Sequence, residues 1–76
     1  MTIEEEVKTA IENAIPGAVA TVTGGGGHFE IEVTSKEFEG KRILEKQRLV
    51  YSAITHLMAG DAAPVHAVDR MVCKTE

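Results

Sequence analysis

Phe38 to Met58, FEGKRILEKQRLVYSAITHLM, is the stretch whose reading decides the fold. From Lys41 onward Ile43, Leu44, Val50, Tyr51, Ile54, Leu57 and Met58 recur at helical spacing, so the segment reads as one long amphipathic helix with a continuous apolar stripe. Gln47 lies on that stripe. Lys41, Arg42, Glu45, Lys46, Arg48, Ser52 and Thr55 occupy the other side and give it a mostly basic face. Such a face is more often ordinary solvated surface than a binding site, and Glu45 dilutes its charge. Gly40 and Gly60 bound the helix.

Upstream of this helix the chain reads as a shorter helix followed by a hairpin. Thr2 and Glu5 have the spacing of a capping box, and Glu4 to Glu6 put negative charge where a helix dipole favours it. Ile3, Val7, Ala10, Ile11, Ala14 and Ile15 form the apolar stripe, and Pro16-Gly17 ends the helix. Ala18 to Thr23 alternates, with Ala18, Ala20 and Val22 on the better-buried face. His28 to Thr34 alternates more cleanly, with Phe29, Ile31 and Val33 inward and Glu30 and Glu32 outward, so the two runs form an antiparallel hairpin. Gly24 to Gly27 join them as a loop that is glycine throughout, a mobile tip that lets His28 adapt to a partner. Four glycines formally satisfy the G-x-x-G pattern with which KH domains clamp a nucleic acid, but that loop lies between two helices and this one in a hairpin. Ser35 to Gly40 is a connection with one turn, where Phe38 plugs the junction to the long helix.

Downstream, Ala59 to Pro64 is a loop and Val65 to Lys74 a third, valine-rich strand. Simple alternation puts Val68 and Val72 with His66 and Arg70, and Ala67, Met71 and Cys73 with Asp69, so neither face is purely apolar. The element order is helix, strand, strand, helix, strand: an α+β chain, αββαβ, with a three-stranded sheet packed on its helices. Its 76 residues support a single domain across 1–76.

Composition narrows the function classes. No apolar run reaches the roughly 20 residues that span a bilayer, and the acidic start is unlike a signal peptide, so a soluble, cytoplasmic protein with no membrane role is expected. Cys73, the single cysteine, can form no internal disulfide, which fits a reducing compartment. A net charge of -4 argues against non-specific binding to a polyanion, although a local basic face is compatible with it. There is no phosphate-binding glycine motif, hydrolytic triad or zinc motif, so no enzyme activity is expected.

Three histidines carry the acid-base and metal-binding potential. His56 falls near the end of the long helix, where interaction with the dipole explains it. His28 begins the second strand beside the glycines, and His66 opens the third strand after Pro64, so both lie at edges a partner can reach. On local context alone, each is more often a capping or surface residue than a ligand.

Phe38-Glu39-Gly40, then Arg48-Leu49-Val50-Tyr51, then His66-Ala67-Val68 resemble the signature of the BolA family, and the likeness spans nearly the whole chain. The element order matches that family's αββαβ core, which is related in topology to the class II KH fold and often carries an extra helical turn. Where many members have arginine-histidine-arginine, this chain has Lys46-Gln47-Arg48, which is similar to the IbaG branch. Any role of the missing histidine does not transfer. The resemblance implies a non-enzymatic adaptor in iron-sulfur and iron homeostasis that partners a monothiol, CGFS-type glutaredoxin. In that arrangement the two proteins share a 2Fe-2S cluster to which the glutaredoxin brings its cysteine and a glutathione thiol. The BolA-like side brings the histidine of the histidine-alanine-leucine motif, here His66, and often a hairpin-loop residue, here His28. One cysteine cannot hold such a cluster alone, and imidazole in place of thiolate on one iron is sound chemistry. A second copy of the chain is an alternative partner, made less suitable by the shortage of thiolates. The main rival is a KH-like transcription regulator that binds DNA or RNA through Lys41, Arg42, Lys46 and Arg48. A third class is an interaction module with no metal role.

Overall fold

The computed structural model describes residues 2–60 and 62–75; Asp61, in the loop expected over 59–64, lies outside them. The chain begins with helix α1, Ile3–Ala14, and the expected capping box opens it: the Glu5 N–H donates to Thr2 Oγ1 at 3.1 Å and the Thr2 N–H to Glu5 Oε1 at 3.3 Å. Val7, Ile11 and Ile15 are buried, whereas Ala14 turns outward. Strands β1, Val19–Gly25, and β2, His28–Thr34, form the antiparallel hairpin. A 3₁₀ turn over Lys36–Phe38 leads to helix α2, Ile43–Met58, and strand β3, Ala67–Lys74, ends the fold. Order β1-β2-β3, with β3 parallel to β2, makes α2 the crossover that a parallel pair requires. The α+β architecture in αββαβ order is as read from the sequence.

Both helices cover the face from which Phe29, Ile31 and Val33 project, and one apolar cluster joins Val7 and Ile11 of α1 to Val50, Ala53 and Ile54 of α2. Phe38 is fully buried in that cluster and does plug the junction. A second tie between α1 and the sheet is polar. Glu12 accepts from the Ala20 N–H at 3.0 Å and pairs with Lys8 one turn back.

Three expectations are corrected. The apolar stripe of α2 does not run its whole length: Ile43 is 73% and Leu44 55% exposed, and Tyr51 also faces outward, while Ala53, absent from the expected stripe, is buried. Ile43 borders a groove against β3 and still stays exposed, because helical periodicity reports which residues share a side and not how closely that side is covered. The glycine run is not a four-residue loop. Gly24 and Gly25 belong to β1, opposite Phe29 and His28, and only Gly26-Gly27 turn the chain. Their φ values of 63° and 84° are those of a tight two-residue hairpin turn with both central residues in the left-handed region.

The third strand begins at Ala67 instead of Val65, and its faces differ from simple alternation. Phe29 pairs with Val68 but Glu30 with Arg70, so Asp69 is an extra, bulged residue. In regular register Asp69 would stand opposite Glu30, like charge to like charge, and Arg70 would fall in the row of buried Ile31. The bulge puts Arg70 opposite Glu30 instead, and Val68, Met71 and Cys73 all pack on the core. The uncovered sheet face is left with Thr21, Thr23, Glu30, Glu32, Arg70 and Val72, and Lys74 reaches Glu32 at 3.5 Å.

Candidate functional site

The glycine turn and the start of β3 meet at one end of the sheet. The carbonyl of Gly27 accepts two backbone bonds, from the N–H of His66 at 2.8 Å and of Ala67 at 3.0 Å. Directly before His66, buried Val65 donates its N–H to the Leu57 carbonyl in the last turn of α2, at 3.1 Å. The backbone of His66 is thereby held between helix and hairpin, although its side chain is exposed. Its imidazole lies against the α-carbon of Gly27. A Cβ built there would overlap Cδ2 of the ring, so the absence of a side chain at Gly27 is what seats the imidazole.

His28 follows Gly27 directly and pairs with Ala67 in the sheet, so the two histidines expected as ligands flank one glycine. The tight two-residue turn sets both beside the same short piece of backbone, where a four-residue loop was expected. His28 projects on the uncovered side, opposite to Phe29, and its Nδ1 lies 3.3 Å from Oδ1 of Asp69. Their side chains are 60% and 57% exposed, respectively, so this end of the molecule is wet.

The other candidates lie elsewhere. His56 is exposed in the last turn of α2. Arg42 caps the start of α2 and its N–H donates to Glu45 Oε1 at 3.1 Å. Lys41 and Arg48 line a groove with Glu45, Leu49 and Ser52, whereas Lys46 lines another between α2 and β3, with Ile43, Gln47, Met71 and Cys73. Cys73 is half-buried, and desolvation pushes its thiol up, against a smaller opposing pull from the Lys46 ammonium. It stands six residues along β3 from Ala67, about 20 Å at strand rise, so it cannot join the histidines.

Among the described residues, no group of three or more His, Cys, Asp or Glu could hold a metal ion. The end around Gly27 carries two exposed histidines, one of them on a clamped backbone, a donor set that a metal centre would need a partner to complete. Asp69 and the seating role of Gly27 were not found by sequence reasoning. The one available signal for Asp69 was the mixed polarity of both faces of β3, which a single extra residue resolves.

None of the described helices is long and apolar enough to cross a membrane. A family model for BolA-like protein matches residues 3–76. Protein BOLA2 of Arabidopsis thaliana is 37% identical, over 76% of this chain and 67% of that protein. BolA-like protein 1 of Bos taurus is 33% identical, over 87% of this chain and 54% of its own length, so the chain spans about half of that relative. The solved structure of a bolA protein homologue from Coxiella burnetii is similar at a TM-score of 0.78 and 30% identity, over 99% of this chain and 94% of that one.

Proposed function

The chain belongs to the BolA-like family, and on that premise we propose that it is a non-enzymatic adaptor of iron-sulfur and iron homeostasis that partners a monothiol glutaredoxin. The observation that carries this reading is that His28 and the ring of His66 both border Gly27 at an exposed end of the sheet. Two imidazoles do not complete the coordination of a 2Fe-2S cluster, so the remaining donors belong to the partner: a glutaredoxin cysteine and a glutathione thiol. When bound, imidazole ligation would leave the cluster less negatively charged than four thiolates do and raise its reduction potential. His66 is the better-positioned donor because its backbone is clamped, and His28 is the second. The single cysteine is compatible with a reducing compartment, and a cytoplasmic location is part of the proposal.

The test is to mix the purified chain with a cluster-loaded monothiol glutaredoxin and follow complex size, visible absorption and circular dichroism. A new cluster spectrum in a one-to-one complex, lost with His66→Ala, is the expected result. No change in spectrum or size would remove this reading. Nucleic-acid binding would then be measured at low salt, although Lys46 lines a different groove from Lys41 and Arg48, which argues against one continuous basic patch.

A further inference from the structure

The bulge in β3 turns an otherwise unexplained aspartate onto one of the two imidazoles. Asp69 is the residue that regular pairing with β2 leaves out, and its hydrogen bond among the described residues goes to Nδ1 of His28 at 3.3 Å. A carboxylate only accepts, so the ring nitrogen facing it must donate. In a neutral imidazole the proton then sits on Nδ1 and the lone pair on Nε2, directed away from Asp69. An unconstrained histidine side chain prefers the opposite form, with the proton on Nε2. A metal-ligating histidine generally has its other ring nitrogen held in this way by a carboxylate or carbonyl.

We propose that Asp69 is a positioning residue: it fixes His28 in the Nδ1–H tautomer and presents Nε2 as the donor to a metal centre. The proposal rests on the adaptor reading for the identity of that centre, but the tautomer is a property of the chain alone. It also separates the two histidines by how each is held. The protein holds His66 through its backbone and the space over Gly27, and holds His28 through the side chain of Asp69.

The experiment begins with the metal-free full chain, recording ring nitrogen shifts of His28 by long-range ¹⁵N–¹H correlation on the alkaline side of imidazole titration. The unaltered chain should show a protonated Nδ1 and a bare Nε2. Asp69→Ala should move His28 to the Nε2–H form, and Asp69→Asn, whose amide oxygen still accepts, should restore much of the original pattern. Identical His28 shifts in the unaltered and Asp69→Ala chains, with the fold intact by circular dichroism, would overturn the inference.

The second arm adds cluster-loaded monothiol glutaredoxin. Asp69→Ala should alter the mixed-cluster spectrum and weaken cluster retention about tenfold, and should add nothing once His28 is alanine. A spectrum that responds to His28→Ala but not to Asp69→Ala, or that ignores His28→Ala altogether, would refute the donor role. If the unaltered chain forms no mixed cluster at all, the adaptor reading fails, and the metal-free spectra still decide whether Asp69 sets the donor nitrogen.

Discussion

At one end of the sheet Ser35, Phe38 and the Pro16 carbonyl close the fold; at the other, Gly26, Gly27, His28 and His66 leave it open to solvent. At the closed end Ser35 is buried, its N–H donating to the Lys74 carbonyl at 2.9 Å and its hydroxyl to the Pro16 carbonyl at 2.9 Å, while the Glu37 N–H donates to Ser35 Oγ at 3.1 Å. One small residue thus ties three segments: its hydroxyl joins the chain after α1 to the 3₁₀ turn that delivers Phe38, and its backbone N–H holds the tip of β3. At the open end the backbone ties run through the Gly27 carbonyl, and the side-chain pair of His28 with Asp69 stays largely exposed. The difference shows how a small domain can concentrate its stability away from its candidate chemistry. Exposed imidazoles need a fixed backbone beneath them, and main-chain bonds supply that without covering the ring.

Substitutions at the two ends should therefore separate stability from cluster binding. The largest stability effect is expected for Phe38→Ala, about 3–5 kcal/mol in denaturant unfolding, because the side chain is fully buried and the site cannot collapse around the loss. A loss below about 1 kcal/mol would mean that the closed end is not where stability is concentrated. Ser35→Ala should cost about 2 kcal/mol, since the Pro16 carbonyl and the Glu37 N–H both lose their partner. Glutaredoxin-dependent cluster formation by that variant should persist at temperatures where it remains folded.

Gly27→Ala should cost only about 1 kcal/mol of stability, for a residue with a Cβ held at a φ of 84°. It should nevertheless displace the His66 ring and disturb the shared cluster, visible as a changed circular dichroism spectrum. An undisturbed cluster would show that the glycine seat is dispensable. Glu12 gives a smaller, pH-dependent effect at the α1–β1 contact. The Lys8 ammonium, and then the Ala20 N–H, hold its carboxyl below the ordinary 4.5. A folded-state value below the unfolded one stabilises fully above the unfolded value. That contribution is lost as the pH falls through the folded value, on the acid side of about 4.5. Comparing acid unfolding of the unaltered chain with Glu12→Gln should show less than about 1 kcal/mol, with the difference confined to neutral and mildly acid solution. The smallest stability change is expected for His66→Ala, within about 0.5 kcal/mol because the ring is exposed. In that variant the shared cluster, and not the fold, should be lost.

How much of this was legible along the chain differs from segment to segment. The start and end of α1 were readable because capping and proline chemistry are local: Thr2, Glu5, Pro16 and Gly17 act within a few residues of themselves. The inward row Phe29, Ile31 and Val33 was readable because β2 alternates without interruption. Ile43 and Leu44 were misassigned because periodicity reports which residues share a side of a helix, not how closely that side is covered. The faces of β3 were unreadable since one bulged residue, Asp69, reverses the parity of everything after it. At the site, His28 and His66 could be named from their neighbours and from the family resemblance, whereas Asp69 and Gly27 act on them across 41 and 39 residues of sequence, respectively.

By itself, the order of the 76 residues determined the element types, the αββαβ order and the two histidines worth testing, because capping, periodicity and turn chemistry are carried by neighbours in the chain. Only the tertiary structure decided that Gly27 carries the ring of His66, that Asp69 faces His28, and that Lys46 lines a different groove from Lys41 and Arg48. Those outcomes depend on strand register and on how a helix lies against the sheet. Both follow from how distant segments share one small apolar volume.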